Sequence, residues 1–291
     1  MSLLLPLMML LQVGADPHVY PQAPLPAITP RRQVTKAAPL VPTDRLATCL
    51  ARGRDDNDAG LAYARDWLAQ AKTPEERAQP NQCLGLLLSD EGEFGEAQTA
   101  FAAAVEAIPA SQAAGAVPLM AMAGNAALAN GEAARALDWF DRALAVRDFD
   151  NPGARGGILA DRARALVALG RTADAAAALA DARVQAPGDA SVFLLSATLA
   201  RRGHDLRGAQ TFIETAAALD PRDPAIGLEA GVIAVLAGHD AAAHKSWNSV
   251  LTTAPDSAEA KVARGYIGQL GPETGNSFDH AAPAPASQPH P

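Results

Sequence analysis

An all-α protein built from stacked antiparallel helix pairs is what this sequence predicts, and three observations carry the expectation. Hydrophobic residues make up 49% of the chain but aromatics only 4%, so the apolar content is mostly Ala, Leu and Val. Alanine is the strongest helix former and adds no bulk, which favours many closely packed helices. Apolar residues recur at helical spacing in short pieces, each broken by Gly or Pro, and runs of β-branched and aromatic residues are few. Finally, one spacing keeps returning. After Gly92 come Ala97, Phe101, Ala104 and Pro109; after Gly131 come Ala136, Phe140 and Ala143. After Gly170 come Ala175, Leu179, Ala182 and Pro187, and after Gly238 come Ala243, Trp247, Val250 and Pro255. A further copy starts at Gly203 and carries one extra residue in its turn, giving Ala209, Ile213, Ala216 and Pro221. Gly85, Gly124, Ala163, Ser196 and Gly231 form one column seven residues before these glycines.

Each segment has its reason. Residues 1–15 read as a signal peptide, with an apolar run over 3–11 and a small residue, Ala15, where cleavage would fall. The run is shorter than the roughly 18 apolar residues that suggest a bilayer span, and no positive charge precedes it. No cysteine follows it, so no lipid anchor is expected. Residues 16–42 are dense in proline, which fixes φ and removes donors, and read as an extended linker. Residues 43–74 form a degenerate leading helix pair, 75–256 hold five repeats, and 257–270 form a closing helix. The end, 271–291, is poor in core-forming residues and reads as a disordered Ala/Pro tail.

The columns of the repeat have steric causes. The turn glycine takes positive φ and closes one helix before the next begins. The small residue before the turn and the alanine after it let two antiparallel helices approach closely. The bulky residue four positions beyond that alanine is expected to fill the space between neighbouring pairs, and proline stops the second helix. One such pair leaves an apolar face uncovered, so copies must stack. The turn glycines follow one another at 39, 39, 33 and 35 residues, which predicts longer connections around 111–115 and 148–153.

On these residues the chain resembles the tetratricopeptide repeat family. The best match runs "NQCLGLLLSDEGEFGEAQTAFAAAVEAIP", where Leu84, Gly85, Leu88, Gly92, Ala97, Phe101, Ala104 and Pro109 fit the family pattern. The family's characteristic Trp and Tyr of the first helix are replaced by Ala or Leu in all five copies. The resemblance implies a right-handed superhelical solenoid whose first helices line a peptide-holding groove. Its geometry would place Gln79, Gln82, Asn125, Asp161, Arg164, Phe193, Arg201, Leu228 and Val232 on that face; packing against neighbouring turns is the alternative role for each. Some members clamp a peptide's terminal carboxylate with Lys and Asn. Here only Asn125 and Arg164 are of suitable type, with Ala121, Ala160 and Ala197 nearby, so no such clamp is expected.

Cys49 and Cys83 fall in the first helices of neighbouring pairs. They would form a disulfide in an exported protein and serve as buried small hydrophobes in a cytosolic one. No Cys-x-x-Cys supports redox catalysis. His239 and His244, near Asp240, are five apart and do not share a helical face, and His204 precedes Asp205 in another turn, so no metal is expected. Gly-x-Ser-x-Gly and phosphate-loop signatures are absent from the sequence. Carboxylates such as Asp55, Asp56, Asp58, Glu91 and Glu93 gather at turns, as solvated residues and helix caps do. A formal charge of -8 without a basic stripe argues against nucleic acid.

The expectation is a non-catalytic scaffold without cofactor, holding a protein segment in its groove in a bacterial periplasm or outside the cell. It would be cytoplasmic if the apolar start is not a signal. The alternatives are an accessory subunit docking onto an enzyme, and a groove occluded by the chain's own tail.

Overall fold

Alanine-rich stretches punctuated by glycine, proline and capping residues give thirteen α-helices over residues 44–271, which are the residues this computed structural model describes. The leading pair is α1 (Asp44–Asp55) and α2 (Asn57–Gln70). Two pairs follow as α3 (Ala78–Asp90) with α4 (Phe94–Glu106), and α5 (Ala113–Ala129) with α6 (Ala133–Ala145). Next come α7 (Pro152–Ala168) with α8 (Thr172–Gln185), and α9 (Ala190–Arg202) with α10 (Leu206–Leu219). The last pair is α11 (Pro224–Leu236) with α12 (Asp240–Thr253), closed by α13 (Ala258–Leu270). No strand occurs among the described residues. The signal peptide expected over 1–15, the linker over 16–42 and, apart from Gly271, the tail over 271–291 lie outside them.

Helix starts follow side-chain chemistry. Asp56, Asn151, Asp205, Asp223 and Ser257 accept hydrogen bonds from backbone N–H groups of the first turns of α2, α7, α10, α11 and α13. Proline stands at the first helical position of α7 and α11, where its missing N–H has no intrahelical partner to lose. Between the helices of each repeat, Gly92, Gly131, Gly170 and Gly238 take φ of 82°, 80°, 73° and 78°. The N–H after each turn bonds the carbonyl five residues earlier, as Glu93 does to Leu88 at 2.9 Å.

Two expectations need correction. In the fourth repeat the left-handed residue is His204, at φ 62°, rather than Gly203, and Asp205 N–H bonds the Ala200 carbonyl at 2.9 Å. His204 therefore occupies the turn-glycine position, and the small residue facing the second helix is Ala197 instead of Ser196. Counted this way, the last two spacings both become the family's regular repeat length, and no extra turn residue is needed. Nor are the longer spacings of the second and third repeats mainly in connections. Helices α5 and α7 run 17 residues against 13 for α3, α9 and α11. Their added residues extend the helices at the N-terminal end, because alanines in α5 and the Asn151–Pro152 start of α7 favour helix there.

Packing within each repeat matches size to size. A Cβ on Gly85, Gly124 or Gly231 would sit 2.6, 2.5 or 2.1 Å from the rings of Phe101, Phe140 or Trp247. Where the second helix carries Leu179 or Ile213 instead of a ring, the first carries Ala163 or Ala197, all buried. Aromatic bulk thus demands glycine, and aliphatic bulk leaves room for one methyl. The buried side chains form one large cluster from Cys49 to Leu195 and two smaller ones, around Ile213 and around Trp247.

Candidate functional site

Helix α5 touches α7, α7 touches α9, α9 touches α11 and α11 touches α13, so first helices line one continuous face. All nine residues expected on a groove are partly buried. Three of them meet in one polar node. Asn125 Nδ2 donates to Asp161 Oδ2 at 3.0 Å, and Arg164 Nη1 donates to Asp161 Oδ1 at 2.6 Å. The node ties α5 to α7. Among the described residues, Asn125 Oδ1 is the one buried side-chain atom left without a hydrogen-bond partner.

A second node ties α9 to α11. Arg201 donates through Nε and Nη2 to the two carboxylate oxygens of Glu229, at 2.7 and 3.2 Å. Both are largely buried, with side chains 15% and 9% exposed, so this two-pronged pair holds the helices in register. Burial pulls the neighbouring Arg202 guanidinium below its ordinary pKa; the Arg201 charge adds to that and Glu229 opposes it. Sequence reasoning missed Glu229. Its signal was a lone charge inside "PAIGLEAGVIAVL", the otherwise apolar α11.

Apolar members of the face behave differently. Phe193 packs against the cluster of Leu194, Ala197, Ile213 and Ile226. Leu228 and Val232 lie half-buried over the cluster of Trp247, Val250, Ala263 and Tyr266. Gln79 and Gln82 are half-buried on α3. The face therefore carries a polar node at α5 and α7 and is apolar near α11 and α13.

Elsewhere, Cys49 and Cys83 form a disulfide with Cα atoms 6.5 Å apart, joining α1 to α3. A cleft of about 280 Å³ lies between α6, α7 and α8, lined by Leu144, Arg155, Leu159, Asp181, Val184 and Gln185. Arg155 there donates to the carbonyls of Leu144 and Val146 and so caps the end of α6. His244 is buried in α12, and no three His, Cys, Asp or Glu side chains converge among the described residues. No single described helix is long and apolar enough to cross a membrane.

Solved structures share this arrangement of paired helices. PilW, a widely conserved type IV pilus biogenesis factor, matches 78% of this chain and 100% of its own, with TM-score 0.63 and 17% identity. A tetratricopeptide repeat protein from Parabacteroides merdae matches 77% of this chain and 86% of its own, with TM-score 0.59 and 16% identity. The fold is that of the tetratricopeptide repeat proteins. PilF of Pseudomonas aeruginosa shares it as well, over 77% of this chain and 96% of its own, with TM-score 0.58 and 14% identity. No protein-family model matches the chain, and no curated protein matches it.

Within a tetratricopeptide repeat, a residue's face follows from its distance to the turn. With His204 as the turn residue, the columns that hold Gln82 and Asn125 continue in the fourth repeat through Leu194 and Thr198, both buried. Phe193 was assigned one residue too early for the same reason. Arg201 likewise yields its column to Arg202. Proteins of this fold are typically interaction scaffolds.

Proposed function

We propose that the chain is a non-catalytic scaffold of the bacterial envelope that holds an extended or helical segment of a partner protein along its first-helix face. The observation that carries this reading is the two-ended character of that face. Gln82 and the Asn125 node offer polar side chains at one end, and Leu228 and Val232 offer half-buried apolar surface at the other. A disulfide supports an oxidising compartment. Likeness to PilW, a pilus biogenesis factor, supports a role in envelope assembly.

The test places a photo-crosslinking residue at Gln82 and compares the parent with Ala121→Arg and Val184→Arg. Ala121 is half-buried on α5, so the long arginine obstructs the face without removing a contact, whereas Val184 is 76% exposed on α8. The expected result is one crosslinked envelope protein, lost in Ala121→Arg and kept in Val184→Arg. Equal crosslinking in both variants rejects the first-helix face as the binding surface. The chain's own tail is the second candidate occupant, because α13 ends at Leu270 beside the apolar end of the face. An intramolecular crosslink from Gln82 or Leu228 to residues 272–291 would make it the ligand, and an enzyme captured instead would make the chain an accessory subunit.

A further inference from the structure

We infer that the Cys49–Cys83 disulfide is a local redox latch, which keeps α1 docked on the array when oxidised and releases it when reduced. The inference rests on how few fully buried side chains that helix carries. Cys49 is the one fully buried side chain described on α1; Leu46 and Leu50 are half-buried. Arg45 lies 4.8 Å from the Trp67 ring and donates to Gln70 Oε1 at 3.0 Å, while Arg52 lies 4.7 Å from the Tyr63 ring. These contacts are at the surface and weak. An α-helix of 12 residues does not persist in water by itself.

The bond stands at the centre of a three-helix contact. One turn beyond Cys49, Gly53 meets Leu87, which stands one turn beyond Cys83. A Cβ on Gly53 would come 2.2 Å from Leu87 Cδ2, and one on Gly60 of α2 would come 2.6 Å from Gly53 Cα. The disulfide and the Leu87 contact are therefore two successive rungs between α1 and α3. Without the covalent rung, the other depends on a glycine surface with no side chain of its own. Undocking uncovers Cys83, Leu87, Trp67 and Tyr63, giving the array an apolar N-terminal end.

The chemistry balances with an external dithiol–disulfide couple. Closing the latch joins the two Sγ atoms, and their two protons pass to the sulfurs of that couple. Two electrons pass to the disulfide of that couple, which leaves as a dithiol. Opening is the reverse: a thiolate of the couple attacks one Sγ, and its second thiolate resolves the mixed disulfide. Both cysteines are wholly buried, so attack waits on transient opening of α1. Helices α3 to α13 keep their own cores: Phe101 against Gly85, Phe140 against Gly124, and the clusters beyond. Release is local.

Native-state hydrogen exchange of the full chain, read peptide by peptide, tests this. The oxidised protein is compared with protein reduced by a phosphine, its free thiols counted by alkylation and mass, and with the Cys49→Ala/Cys83→Ala double variant. Expected is a loss of protection of roughly tenfold or more over 44–55 in both reduced states, with α5 to α13 unchanged. Protection over 44–55 that survives reduction overturns the latch. Protection lost along the whole array overturns it too, since the bond would then be a staple for the entire fold. Reoxidation that restores the original pattern supports it.

Discussion

His204 shows how much one backbone position matters. It takes the left-handed conformation that glycine takes in the other four turns, and that conformation costs a side-chain-bearing residue about 1–2 kcal/mol. His204→Gly is therefore expected to stabilise the chain by about 1 kcal/mol, read as a higher urea midpoint at unchanged slope. A drop in the midpoint would show that the imidazole makes up for the strain. Glu229 is the opposite case. Removing its carboxylate leaves the largely buried Arg201 guanidinium unpaired, so Glu229→Ala should cost about 3–5 kcal/mol, and Arg201→Met with Glu229→Leu far less. Chemical denaturation of the three proteins checks both values. Neither residue was legible in sequence, and for distinct reasons. A glycine one place earlier, Gly203, is the better turn former by composition, so the register slipped. Glu229 has meaning only once α9 lies against α11, and no local pattern announces which side chain will cross.

Helix pairs, by contrast, announce themselves. The intervals from the turn to Ala97, Phe101 and Ala104, and their counterparts, are dictated within a single pair, so they survive as a spacing that can be read without any neighbour. The small-to-large matching at each crossing predicts a sharp outcome. Gly124→Ala should cost about 1–3 kcal/mol by forcing a Cβ into the Phe140 ring. Adding Phe140→Leu should recover most of the loss, because the pair then has the Ala–Leu composition of Ala163 and Leu179. A thermal-melt cycle over parent, singles and double measures that coupling; strictly additive losses would show that the ring and the glycine do not meet. The lengths of α5 and α7 were not legible, because the sequence marks where a pair turns better than where its first helix begins.

At the scale of the array, each repeat leans on the next, and the buried clusters thin toward the C-terminal end. Helix α13 covers Trp247, whose ring lies 5.3 Å from that of Tyr266. Ending the chain after Pro255 should expose Trp247, shift its fluorescence to longer wavelength and loosen α11 and α12 first, seen as faster hydrogen exchange there than in α3 to α6. Uniform loosening would argue for one cooperative unit. The architecture was legible for the reason that makes it modular: stacking repeats the same local solution. The first-helix face was only partly so. Asn125, Asp161 and Arg201 link neighbouring first helices, and that role depends on partners up to 36 residues away. The matched crossings carry a further implication for how such a chain can be rebuilt. Glycine under a ring and alanine under an aliphatic side chain act as a two-letter code read across one turn, so a transplanted second helix is accepted only by a first helix of its own letter. Duplication, deletion or grafting should succeed at splice points after Pro109, Pro187 or Pro221, which keep both letters together, and fail when cut at a turn glycine.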